Sequence, residues 1–215
     1  MPASNPVITS EQLAGWLRRF RDLVIKNQTE LTELDSAIGD ADHGINMARG
    51  MTAVISKLDE GRPAHVNELF KTAAMMLVTS VGGASGPLYG TFCLRFAGAT
   101  GPATELDLEG LAMALDAGLT GIMERGKAEP GDKTMVDALS PAVDAMEAVI
   151  KSGNDLDTAV TAARDAAAAG KEATVPLVAR KGRASYLGER SAGHMDPGAA
   201  SMSLLFDALA DELAG

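Results

Sequence analysis

The apolar residues of this chain recur at helical spacing almost throughout and nearly nowhere at the alternating spacing of a strand. Leu13, Trp16, Leu17, Phe20, Leu23 and Val24 trace one face of a helix. Thr9 and Gln12 stand where a capping box would open it. Leu111, Leu115, Leu119 and Ile122 repeat in the same way, with Asp107 placed as an N-cap. The pattern predicts further helices near 44–58, 65–81, 86–99, 134–151, 155–169 and 198–213, and a shorter one at 28–38. Val175-Pro176-Leu177-Val178 is the best strand candidate, and its proline weakens it. Aromatic residues are only 4% of the chain, so Leu, Ala, Met and Val must fill the core, which favours close helix packing. We therefore expect an all-α fold of about eight antiparallel helices joined by short connections.

A chain of 215 residues can bury one sizeable core, and no Pro/Gly/Ser-rich linker divides it. Its 19 Lys and Arg against 29 Asp and Glu give a net charge of −10. Such a surface is a poor partner for nucleic acid or an anionic membrane, so an anion would have to be bound locally, through metal ions. Cys93 is the only cysteine and cannot form an internal disulfide. The opening MPASNPVITS lacks the charged start and apolar run of a signal peptide, and no apolar stretch reaches membrane-spanning length. A cytoplasmic location is the expectation.

The chemistry is concentrated in the joints between helices. Residues 35–46 read DSAIGDADHGIN, with Asp35, Asp40 and Asp42 crowded into an already acidic chain. Spacings of five and two do not align side chains on a helix, but Gly39 and Gly44 would let the backbone bend so that the carboxylates converge. Asp residues beside glycine also serve simply as turn formers and N-caps. A convergent all-oxygen cluster suits Mg²⁺ or Ca²⁺ rather than zinc. Two divalent cations would outweigh three carboxylates and could receive a diphosphate or triphosphate. His43 and Asn46 could donate to phosphate oxygens, and a helix starting near Gly44 would add its N–H groups.

The other joints are GGASG (82–86), RGKAEPGDKT (125–134) and KGRASYLGERSAGHMDPGA (181–199). Neither a G-x-x-x-x-G-K-[ST] loop nor a G-x-G-x-x-G turn occurs. Ser85 and the glycines before it could present N–H groups and a hydroxyl to an anion, although glycine-rich helix starts are also plain connections. Arg125, Lys127 and Lys133 lie in the third joint, and Lys181, Arg183, Arg190, His194 and Asp196 in the fourth, gathering positive charge beside glycine and proline. His65, next to a helix start, reads as structural or merely exposed.

Taken together, IGDADHGINMARG, SVGGASGPLYGT, RGKAEPGDKTM and ARKGRASYLGERSAGHMDPGA closely resemble the nucleotide-binding L subunit, or L domain, of dihydroxyacetone kinases, from about residue 10 to 213. The resemblance implies a single L-type domain over 10–215 preceded by an N-terminal extension, 1–9. It implies a closed barrel of antiparallel helices with ADP or ATP at one end. Asp35, Asp40 and Asp42 would hold two Mg²⁺. His43, Gly44, Ile45 and Asn46 would bind the nucleotide, His43 and Asn46 through phosphate. Ala84 and Ser85 would line its site, Gly126 and Met135 would lie near the adenosine, and Arg183 with Met195, Asp196 and Pro197 would close the other side. Arg183 would be the catalytic residue, stabilising charge on the transferred phosphoryl group.

The same resemblance implies partners. Dihydroxyacetone would be held covalently on a histidine of a separate K subunit, and a phosphotransferase-system protein would rephosphorylate ADP in place. That donor is favoured because the sequence stands alone rather than fused to a K domain. The alternatives are an ATP-dependent kinase for dihydroxyacetone or a related sugar such as erythrulose, and a nucleotide-state sensor that binds a transcription factor.

Overall fold

The computed structural model describes residues 7–153 and 155–214. Of the N-terminal extension, residues 1–6 lie outside the described residues. The helices are α1 (Ser10–Lys26), α2 (Gln28–Ile38), α3 (His43–Gly61), α4 (Val66–Ser80), α5 (Ser85–Thr100), α6 (Leu108–Gly126), α7 (Val136–Lys151), α8 (Leu156–Ala173) and α9 (Pro197–Leu213). The architecture is all-α, as the periodicity predicts. No described helix is long and apolar enough to cross a membrane.

Eight of these helices close a ring. Going round it, α1 packs on α3, α3 on α4, α4 on α5, α5 on α6, α6 on α7, α7 on α8, α8 on α9, and α9 returns to α1. The short α2 stands outside the ring and leans on α3 and α9. The ring is filled by the apolar stripes read from the sequence. Trp16, Phe70 and Phe96 meet at its centre, with the Phe70 and Phe96 rings stacked at 3.9 Å. Trp16 is wholly buried, and its indole N–H donates to the Leu205 carbonyl at 2.8 Å, so the one polar atom of the side chain is satisfied.

The helix starts divide between the two ends of the ring. At the lower end β1 (Ile8–Thr9) pairs antiparallel with β2 (Glu105–Leu106), Ile8 opposite Leu106, just ahead of α1 and α6. The Val66 N–H donates to the Ala103 carbonyl, bringing the start of α4 to the same place. Side chains cap three of the four helices that begin at this end, α4 being the exception. The predicted capping box forms, with the Gln12 N–H donating to Thr9 Oγ1 at 3.2 Å and the Thr9 N–H to Gln12 Oε1 at 3.0 Å. Asp107 caps α6 and Asp155 caps α8. Alternation then sends the starts of α3, α5, α7 and α9 to the upper end.

One local expectation is corrected. Residues 175–178 form a turn rather than a strand, because the carbonyls of Thr174, Val175 and Leu177 are taken by the Lys133 ammonium instead of a neighbouring strand. The ladder that does form has two residues on each side, too short to register as alternation. The long fourth joint is partly ordered as a 3₁₀ segment, Arg183–Ser191, broken at Gly188 where φ is 55°.

Where helices approach closely, glycine makes room. A Cβ on Gly118 of α6 would stand 2.4 Å from the ring of Phe92, itself fully packed in α5. Gly118→Ala should therefore lower unfolding free energy by about 1–3 kcal/mol through overpacking, measured by urea denaturation with circular dichroism.

Candidate functional site

Asp35 sits in the last turn of α2, and its Oδ2 accepts the backbone N–H groups of Asp42 (2.9 Å) and His43 (3.1 Å). One carboxylate oxygen thus anchors the start of α3. Gly39 ends α2 in an unusual conformation (φ −141°, ψ −134°), and a Cβ there would lie 2.0 Å from Asp35 Oδ1. Ala41, between the other two acids, is left-handed at φ 62°, a strained choice for a residue with a Cβ. The outcome is convergence: one carboxylate oxygen from each of Asp35, Asp40 and Asp42 falls within 4.8 Å of the others. This all-oxygen donor set fits a hard divalent cation such as Mg²⁺. Arg183 reaches across from the 3₁₀ segment to Asp40, Nη2 to Oδ2 at 3.0 Å, setting a positive group beside the acids.

His43 is buried at the base of the cleft, with both ring nitrogens engaged. Nε2 is 2.9 Å from Ser201 Oγ, and Nδ1 is 3.1 Å from Ser85 Oγ. Ser201 gives its only proton to the Gly198 carbonyl (3.0 Å), which cannot donate, so the Tyr89 hydroxyl and His43 Nε2–H must both donate to Ser201. Nδ1 is then left to accept the Ser85 hydroxyl proton. Burial pushes the imidazole below its ordinary pKa, against the pull of Asp35 and Asp42, and keeps it neutral at pH 7. A phosphate would reach the ring only by displacing Ser85. Asn46 is better placed to donate: its Oδ1 accepts from Arg49 (2.7 Å), leaving Nδ2 beside Gly82.

The helix starts around the cleft differ from those at the lower end. The N-cap residues of α3, α5 and α7 (Asp42, Ala84 and Met135) make no side-chain cap, although Asp35 Oδ2 takes the first N–H of α3 and Thr134 Oγ1 that of α7 (3.2 Å); the positive ends of three helix dipoles face the cavity. α9 alone among the four is capped, the Ala199 N–H donating to Asp196 Oδ2 at 2.7 Å. Burial raises the Asp196 carboxyl to about 7, opposed by that N–H and reinforced by Asp137.

The cavity runs from acid to apolar. One part is bounded by Asp35, Asp40, Asp42, His43, Asn46, Ser85, Arg183, Asp196 and Pro197. An adjoining part shares Ala84, Leu88, Thr134, Met135, Lys181 and Gly182 and continues to Pro87, Ile122, Arg125, Gly126, Ala128 and Val136. Three residues expected at the site lie off both walls. Gly44 packs against α2, where a Cβ would stand 2.1 Å from the Gln28 carbonyl. Ile45 is 49% exposed, and Met195 is half-buried against the core. Lys127 is the left-handed C-cap of α6, and His194 is exposed away from the cavity. His65 caps no helix with its side chain and lies 3.5 Å from Glu68. Sequence reasoning passed over Leu88, Thr134 and Ile122, whose apolar or small side chains look like ordinary helix positions.

Residues 37–211 match the DAK2 domain. The chain is 48% identical over 194 residues to the ADP-binding subunit DhaL of PEP-dependent dihydroxyacetone kinase 1 of Listeria innocua, covering 90% of this chain and 92% of that one. It is 44% identical over 203 residues to the ADP-binding subunit DhaL of the PEP-dependent dihydroxyacetone kinase of Escherichia coli, covering 94% and 97%. The fold is similar to the dihydroxyacetone kinase of C. freundii solved in complex with AMP-PNP and Mg²⁺, at a TM-score of 0.71 and 28% identity; 98% of this chain corresponds to 35% of that one. A helical ring with an acidic, cation-suited cleft at one end, similar over its length to kinase subunits, is a phosphotransferase subunit. The chain belongs to the DAK2 domain family and, within it, to the DhaL subunits of dihydroxyacetone kinases.

Gly39→Ala should press on Asp35 Oδ1 and weaken Mg²⁺ or Mn²⁺ binding about tenfold or more with the helices intact, measured by calorimetric titration beside far-ultraviolet circular dichroism. A second expectation concerns pH. The folded protein holds the Asp196 proton up to about 7, whereas the unfolded chain loses it near 3.8. The folded state thus binds more protons between those values, and this group's stabilisation is complete below the window and lost as pH rises through it. Asp196→Asn should flatten that part of the stability profile of the metal-free protein, read from chemical denaturation at a series of pH values.

Proposed function

We propose that this chain is the phosphoryl-donor subunit of a dihydroxyacetone kinase. ADP or ATP lies along the cleft, its base among Leu88, Ile122, Gly126 and Met135 and its phosphates toward Asp35, Asp40 and Asp42, which hold two Mg²⁺. The observation that carries this reading is the single cleft that grades from three convergent carboxylates to an apolar wall, flanked by the positive dipole ends of three helices whose N-cap residues make no side-chain cap. Magnesium, when bound, would neutralise polyphosphate charge and polarise the transferred phosphoryl group.

The protein's own part is positioning and charge. The Asn46 amide, the N–H groups at the start of α5 and the positive dipole ends of α3 and α7 orient phosphate oxygens. Ser85, with its proton committed to His43, sets the wall of the cleft. Arg183, 64% exposed at its side chain, stabilises charge on the phosphoryl group in flight. The acceptor is dihydroxyacetone carried on a separate K subunit, which approaches the open acidic end where Asp40 and Arg183 face solvent. The phosphoenolpyruvate dependence in the names of the bacterial relatives supports a donor cycle in which a phosphotransferase-system protein recharges ADP without its leaving.

Purified protein should carry ADP and, with a K subunit, Mg²⁺, dihydroxyacetone and the phosphorylated phosphotransferase protein, should yield dihydroxyacetone phosphate by coupled assay. Arg183→Ala should cut that turnover about a hundredfold or more while ADP remains bound. Product with ATP alone would move the donor to free nucleotide; product with erythrulose alone would move the acceptor; no product under any of these conditions would overturn the reading.

A further inference from the structure

Lys133 is the least expected residue of the upper end. The sequence presents it as one of several charges in a glycine-rich joint, yet it is 1% exposed. Its backbone is left-handed at φ 62°. Among the described residues, the other non-glycine residues with positive φ are Ala41, between the acids, and Arg62 and Lys127, which end helices in the ordinary way. Strain of this kind persists only where surrounding contacts hold it.

The contacts are specific. Lys133 Nζ donates to the carbonyls of Thr174 (2.9 Å), Leu177 (3.1 Å) and Val175 (3.4 Å), and to the carbonyl of His194. The first three close the turn after α8, and the last leads into α9. Between them runs the segment 178–193, which carries Arg183. Other bonds tie the same two feet: the Gly193 N–H donates to Val175 O (2.8 Å) and the Ala179 N–H to Ser191 Oγ (2.8 Å). The neighbouring residue joins in, Asp132 O accepting the Arg180 N–H at 3.1 Å. A compact ammonium can serve carbonyls on several sides; a planar guanidinium or an apolar chain of similar length cannot.

We propose that Lys133 is a positioning residue for Arg183: its buried ammonium gathers the carbonyls of Thr174, Val175, Leu177 and His194, fastens both feet of the 178–193 segment to the joint before α7, and so holds the guanidinium over Asp40. This rests on the role given to Arg183 above. Lys133 lines the cleft beside Thr134 and Met135, but its ammonium is turned to these four carbonyls, and its action on the phosphoryl group runs through the segment.

The test compares Lys133→Met, Lys133→Arg and Arg183→Ala, singly and as the double variant Lys133→Met/Arg183→Ala, in the reconstituted assay and in limited trypsin digestion without partners. Trypsin reads the segment directly, because Arg180, Lys181, Arg183 and Arg190 lie in it. Lys133→Met should lower kcat at least tenfold with KM for the K subunit and ADP retention little changed, and should speed cleavage within 180–190 several-fold. Lys133→Arg should not restore either. The double variant should be no slower than Arg183→Ala, since a clamp has nothing to hold once the guanidinium is gone. Independent multiplication of the two losses, or wild-type rates of cleavage in Lys133→Met, would overturn the proposal. If Lys133→Met does not fold, Ser191→Ala loosens the same segment at its other tie, and the same two readings decide. Failure of the wild-type protein to transfer phosphate would count against the donor reading alone, because the digestion comparison stands without it.

Discussion

The carboxylate of Asp35 accepts two backbone N–H groups from the start of α3, and the upper end of the molecule is built on that contact. It fixes where α2 stops and α3 begins. It forces the intervening residues into a tight return with a left-handed Ala41, and it brings Asp40 and Asp42 alongside. Three carboxylates within 4.8 Å repel one another unless positive charge is near. The structure supplies it from the N-terminal ends of helices and from Arg183. The acids that look like a liability in a chain of net charge −10 thus become the feature around which positive groups are arranged.

That arrangement follows from topology more than from any one motif. In an eight-membered ring of alternating helices, four must start at the same end. Here those four starts carry the chemistry, while Thr9, Asp107 and Asp155 cap starts at the other end with side chains. At the upper end Asp35 and Thr134 take the first N–H of α3 and of α7 from outside the N-cap position, and α5 goes without a side-chain cap, which costs of the order of 1 kcal/mol. The donors at the start of α5 face a cavity rather than core, where an anion or water can satisfy them.

The sequence made the ring's members plain, because each helix carries its own apolar stripe and the joints are marked by glycine. The acidic cluster was legible for the same reason: Asp35, Asp40 and Asp42 sit within one short stretch, so their convergence needs only a local bend. What was not legible is non-local. The ring partners of His43 are Ser201 and Ser85, 158 and 42 residues away, and nothing near His43 announces that its ring is turned inward. Lys133 reads as a surface charge until the turn after α8 and the approach to α9 close around it. Gly44 and Ile45 lie beside the acids in sequence, but helical rotation carries them off the cleft. The two-residue ladder of Ile8–Thr9 with Glu105–Leu106 is below the length at which alternation can be seen.

Ring closure between α1 and α9 has a further consequence. α1 enters from the lower end and α9 returns to it, and Arg19 of α1 pairs with Glu212 near the end of α9. The two ends of the described chain therefore emerge side by side, on the face opposite the cleft. A domain grafted to either end would hang below the barrel and leave the mouth of the cleft clear, so the same fold suits both a free-standing subunit and one module of a longer polypeptide.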